Sequence, residues 1–120
     1  MNRLEHLFRA KTEFSLHSPF VYRLYTEVLC SRAEGAPKGR FDEAVWRLER
    51  HYGVPASQGD GFAELHSPEA SFLVVDHPHR AEGRWQALVA SPEWQVTLDL
   101  FSVGIAVANP RLSKQHFILR

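Results

Sequence analysis

Asp76-His77-Pro78-His79 is the densest set of chemistry-bearing side chains in the chain. The Asp76 carboxylate offers an oxygen ligand, and His77 and His79 offer imidazole nitrogens. That donor set suits a divalent metal ion, and such an ion polarises a substrate hydroxyl. Against this, Pro78 bends the chain and adjacent residues point apart, so the favoured use of Asp76 and His79 is to cap a helix starting at Arg80. A second constellation is Gly59-Asp60-Gly61. Glycines let a backbone approach a ligand closely, as a cofactor loop requires between a strand and a helix. Here Pro55-Ala56-Ser57-Gln58 is no buried strand and Phe62 onward reads as strand, which favours an ordinary turn.

The remaining reactive types are isolated. Cys30 is a nucleophile by type, but no base is readable near it, and a half-buried helix position accounts for it better. His17 and Ser18 adjoin without the geometry of a nucleophile and its base; Ser18 is better used as a helix cap, with Pro19 at the first helical position. His116 with Lys114 and Arg120 makes either a small anion site or a charged edge strand that discourages strand-to-strand aggregation. Of Trp46, Trp85 and Trp94, the last two fall on expected core faces, so packing is preferred over stacking on a nucleobase.

These residues need elements to hold them. Met1 to Ala10 carries Leu4, Leu7 and Phe8 at helical spacing, and Phe20, Val21, Leu24, Tyr25, Val28 and Leu29 predict a second helix behind Pro19. Residues 31–40 read as a connection. Phe41, Val45, Leu48 and Tyr52 predict a third helix, with Asp42 near its N-terminal end and Gly53 just past its C-terminal end; Trp46 lies off this stripe, towards a partner. Residues 54–61 read as loop and Phe62 to Leu65 as a short edge strand. Phe72-Leu73-Val74-Val75 predicts a strand over Ser71 to Asp76 covered on both faces, followed by a helix from about Arg80 to Ala90 that buries Trp85, Leu88 and Val89. Trp94, Val96, Leu98 and Leu100 alternate with Gln95, Thr97 and Asp99, which predicts a strand with one polar face inside a hairpin from Trp94 to Asn109. Gln115 to Arg120 closes the chain as a last strand.

At 120 residues the chain is expected to be one domain: a helical part over 1–53, a loop or linker over 54–70, and a β-α-β-β part over 71–120. Lys plus Arg and Asp plus Glu are both 14, so no general field draws the chain to nucleic acid or to an anionic membrane surface. No apolar run approaches the roughly eighteen residues of a membrane helix. One cysteine excludes a disulfide framework, and the cytoplasm is the expected compartment. Zero net charge with three Trp and eight Phe leaves much apolar surface to hide, and a homodimer is one way to hide it.

Two segments together resemble a group of bacterial class I S-adenosylmethionine-dependent methyltransferases. One is Phe8-Arg9-Ala10-Lys11 leading to His17-Ser18-Pro19-Phe20-Val21-Tyr22. The other runs from Ser91-Pro92-Glu93-Trp94 through Val103-Gly104-Ile105 to Lys114-Gln115-His116-Phe117-Ile118-Leu119-Arg120. The resemblance implies that the hairpin forms the sixth and seventh strands of that fold, the seventh antiparallel. It also places Asp76-His77 where metal-dependent O-methyltransferases of the fold carry an Asp-Asn or Asp-Asp pair. Members of the group are longer, and the shortfall lies between the N-terminal helices and Ser71, where their first strand and glycine-rich cofactor loop belong; Gly59 and Gly61 are the only candidates for that loop.

The expectation is therefore an α/β domain: N-terminal helices on a small mixed sheet of about three to five strands with an antiparallel C-terminal hairpin, a truncated Rossmann-like methyltransferase scaffold. No bound cofactor is expected, with S-adenosylmethionine or a divalent metal as the alternatives. The expected partners are a second copy of the chain or another protein. The enzyme alternative keeps methyl transfer at a remodelled or subunit-shared site near Asp76.

Overall fold

The computed structural model describes residues 19–30 and 34–119. The helix expected over Met1 to Ala10, the Ser18 cap, His17 and Arg120 lie outside the described residues. Helix α1 (Pro19–Arg23) passes directly into a π-helical turn (Leu24–Leu29). There the Thr26 hydroxyl donates to Tyr22 O at 2.7 Å and Cys30 N–H donates to Tyr25 O at 3.0 Å. Such widened turns shift the helix face, and here Leu24, Tyr25 and Val28 are all buried. Helix α2 (Arg40–Tyr52) has Asp42 and Glu43 in its first turn, where they favour the positive end of the helix. It ends at Gly53, whose φ of 66° is the left-handed conformation that only glycine adopts without cost. Arg47 of α2 donates to Val28 O at 3.1 Å and fastens the two helical segments together.

Among the described residues the sheet has six strands in the order β1-β2-β3-β5-β4-β6. They are β1 (Ser57–Gly59), β2 (Phe62–His66), β3 (Ser71–Asp76), β4 (Val96–Asp99), β5 (Val103–Ala108) and β6 (Gln115–Ile118). All neighbours are antiparallel except β4 and β6, which run parallel. A 3₁₀ turn (Pro78–Ala81) and helix α3 (Glu82–Ala90) connect β3 to β4. Since β5 is antiparallel to both, β3 and β4 point the same way with β5 inserted between them.

Helices α1 and α2 with the π turn cover one face. Val21, Leu24, Val45 and Leu48 close there on Phe72, Val74 and the other inward residues of the sheet. Phe72 lies 4.8 Å from the Tyr52 ring and 6.5 Å from the Phe20 ring, centroid to centroid. Helix α3 covers the other face through Trp85, which is 1% exposed. Its indole sits on Gly104, where an added Cβ would stand 2.7 Å from the ring. Real Cβ contacts do not occur at that distance, so β5 needs glycine here. Val103, Ile105 and Val107 therefore face the larger core, and Gly104 and Ala106 face α3.

The structure is mixed α/β as expected, and it corrects several details. The sheet has six strands instead of three to five. Within the expected loop, Ser57–Gly59 forms strand β1, whose three exposed residues carry no apolar alternation to read. Phe62 to Leu65 is no edge strand, because β1 flanks it. Leu73 and Val75 of β3 are only half-buried, since α3 leaves that side of its face open. The expected polar face of β4 is buried, with Thr97 at 0% and Asp99 at 2% exposure. Leu88 and Val89 are half-buried, and of the helix residues expected to be buried only Trp85 is fully so. No helix among the described residues is long and apolar enough to cross a membrane.

Candidate functional site

The C-terminal end of β3 is stitched to the turns on either side of it. Asp76 N–H donates to Gly61 O at 2.9 Å, and His77 N–H donates to Ser102 O at 2.9 Å. His77 holds a φ of 45° and Phe101, on the neighbouring β4–β5 turn, a φ of 71°. Two non-glycine residues in the left-handed region at one end of a sheet mark a backbone that its surroundings over-determine. At this point Asp76 Oδ1 and His77 Nδ1 lie 2.7 Å apart, each side chain 39% exposed.

Two clefts open around Asp76. One, of about 470 Å³, lies between His77, Ser102 and the start of α2 at Arg40 and Asp42. The other, of about 320 Å³, lies on the α3 side and is bordered by Asp60, Gly61, Asp76 and Trp85. Gly59 and Gly61 thus belong to the β1–β2 turn. Gly59 pairs with Phe62, and Asp60-Gly61 makes the two-residue connection, with Gly61 at φ 79°. A strand follows, not a helix, so this turn has no helix N-terminus behind it.

Of the candidate metal ligands, Asp76 and His77 are brought together and His79 is drawn elsewhere. Its Nε2 lies 2.8 Å from Asp99 Oδ2, across the 3₁₀ turn and onto β4. The other Asp99 oxygen accepts the Phe101 N–H at 2.9 Å, and the Phe101 ring lies 5.7 Å from the His79 ring. No group of three or more His, Cys, Asp and Glu placed to hold a metal occurs among the described residues.

A second imidazole is held the same way from the opposite flank. His116 of β6 meets the buried Thr97 hydroxyl through Nδ1 at 2.7 Å and lies edge-on to Trp85 at 6.3 Å. Burial holds this imidazole below its ordinary pKa, with Lys114 acting in the same sense, while Asp99 and the Thr97 backbone oppose the shift. Lys114 itself donates to Ser91 O and to Trp94 O, so it is engaged in closing the α3–β4 connection instead of forming an open anion site with His116. Cys30 caps the π turn and is exposed, not the half-buried helix residue expected, and partial desolvation of its thiol still pushes the pKa up and disfavours the thiolate. Burial also pushes the nearby Tyr25 phenol up to about 12.

Asp99 and Thr97 escaped a reading based on alternation because their polar types at every second position imitate a solvated face. The signal that finds them is across the hairpin. Asp99 pairs with Gly104 and Thr97 with Ala106, and two small residues opposite two polar ones mark a face on which a helix must sit. The chain matches no protein-family model, no curated protein and no solved structure.

Proposed function

We propose that this chain is a shortened methyltransferase-like protein that does not bind S-adenosylmethionine by itself and acts through protein contacts, as a homodimer. Support for the ancestry comes from the order β3-β5-β4, with α3 bridging the outer two strands and an antiparallel strand inserted between them. A closing hairpin whose second strand runs antiparallel is what the sequence resemblance implies. Carrying the loss of cofactor binding is one observation: the partner of β3 on its other side is β2, an antiparallel strand of a tight hairpin. A cofactor-bearing first strand would instead lead through a glycine loop into a helix. Exposed Phe101 and Ile118 give a second copy apolar surface to cover.

Calorimetric titration with S-adenosylmethionine and S-adenosylhomocysteine, with and without magnesium, is expected to be silent for folded protein that sediments as a dimer. Micromolar binding by a strict monomer would sink both parts of the reading. The Asp76 N–H to Gly61 O bond favours one alternative, because it brings the candidate cofactor and metal residues to the lip of one cleft. In that alternative the chain is an S-adenosylmethionine-dependent methyltransferase with a remodelled or subunit-shared site near Asp76. Asp76→Ala would then abolish ligand binding and leave the fold intact.

A further inference from the structure

The smaller cleft combines two chemistries. Its floor is apolar, built from Leu73 and Val75 of β3, Phe62 of β2, and Trp85 and Leu88 of α3. Among the described residues its rim carries the carboxylates of Asp60, Glu64 and Asp76 against the guanidinium of Arg84, three negative charges to one positive. The register explains why both chemistries meet: Phe62 stands opposite Val75 and Glu64 opposite Leu73, on the face that α3 leaves open. Among the described residues neither Asp60 nor Arg84 has an ion-pair or side-chain hydrogen-bond partner, whereas Asp76 is engaged by His77 and Glu64 lies 3.9 Å from His66. The rim therefore keeps an uncompensated carboxylate beside an apolar floor. A volume of about 320 Å³ is enough for a small organic molecule and too small for a macromolecular segment of any length.

We propose that this cleft binds a small organic ammonium ion with an apolar body, the body resting on Phe62, Val75 and Leu88 above the buried Trp85 and the ammonium group in the field of the rim carboxylates Asp60 and Glu64. An anion of the same shape meets the net negative rim and is disfavoured, and a neutral analogue gains the floor without the rim. This inference rests on the lining of the cleft and not on the methyltransferase ancestry, so a silent S-adenosylmethionine titration leaves it standing.

The test uses three probes of one shape, 2-phenylethylamine, 2-phenylethanol and 3-phenylpropionate, titrated into the full chain at low salt. Binding is read from the Trp85 indole N–H and the Gly61 amide by ¹H–¹⁵N NMR. The amine is expected to bind about fivefold more tightly than the alcohol, the scale of two partly screened carboxylates, and the acid most weakly. Asp60→Asn with Glu64→Gln, both on the exposed rim, should erase the amine's advantage while leaving alcohol binding and the thermal midpoint unchanged. Added salt should erase it too. Equal affinity for amine and alcohol, an amine preference that survives the double variant, or no shift at Trp85 and Gly61 with any probe would each overturn the proposal.

Discussion

On one face of the sheet, α1, the π turn and α2 bury an unbroken apolar set in which Phe72 touches the rings of both Phe20 and Tyr52. On the other, α3 is the one helix among the described residues, and what is buried with Trp85 includes the carboxylate of Asp99 and the hydroxyl of Thr97, each engaged by a histidine from a different element. The first face is held by shape and area, which tolerate small shifts of its members. The second depends on hydrogen bonds that hold only at one geometry, and it pins the 3₁₀ turn and β6 to β4. Adhesion and positioning are thus assigned to opposite sides of one sheet, and Asp76 and His77 stand at the sheet end where the two sides meet, with a cleft on each.

The sharpest test of that contrast starts on the apolar face. Phe72→Ala should cost about 4 kcal/mol out of a total of about 5–15 kcal/mol for a domain of this kind, read as a fall in the urea midpoint with little change in slope. Next in size is Asp99→Ala, which leaves the Phe101 N–H and the His79 imidazole without their carboxylate and should cost about 2 kcal/mol. Here the informative readout is coupling: His79→Ala should cost markedly less in the Asp99→Ala background than alone. Additive costs would mean that the pair holds nothing, and the contrast between the faces would collapse.

The smallest effect is a pH dependence. Because the folded state holds His116 below its ordinary value of 6.5, the unfolded chain binds the proton more readily in the window between the two values. Stability contributed by neutral His116 is therefore full above about 6.5, declines as the pH falls through the lower folded value, and is flat below it. Asp99, Thr97, Lys114 and Trp85 all face this ring, so the comparison to make is with His116→Gln, whose pH profile of chemical denaturation should lack that component. Identical profiles would place the acid sensitivity elsewhere.

The apolar face was legible in the sequence and the polar face was not, for a physical reason. Phe41, Val45 and Leu48 recur at helical spacing, and Phe72-Leu73-Val74-Val75 is a continuous run, so local pattern alone locates α2 and β3. The Trp94 to Asn109 hairpin was legible from alternation, yet alternation misassigned Thr97 and Asp99. What a polar residue does depends on its partner, and their partners lie 19 and 20 residues away, His116 and His79. Strand β1 was invisible because exposed Ser57, Gln58 and Gly59 owe their strand to the Asp60-Gly61 turn and to β2, not to their own types. Asp76-His77 was placed at a strand end correctly. That His79 would leave them for Asp99 required the fold.

The insertion of β5 also says something about time. β3 and β4 are joined in the chain by α3 but make no lateral contact in the sheet; only β5, hydrogen-bonded to both, unites them. During synthesis, residues 57–76 can pair as a meander as soon as they emerge, but the sheet has no continuous middle until residues 103–108 have been made. Trp85 likewise has no seat until Gly104 arrives beneath it. Up to that moment a large indole and the open edge of β3 are exposed together, the combination that most invites off-pathway association. The closing hairpin is therefore the step that ends the chain's most vulnerable interval.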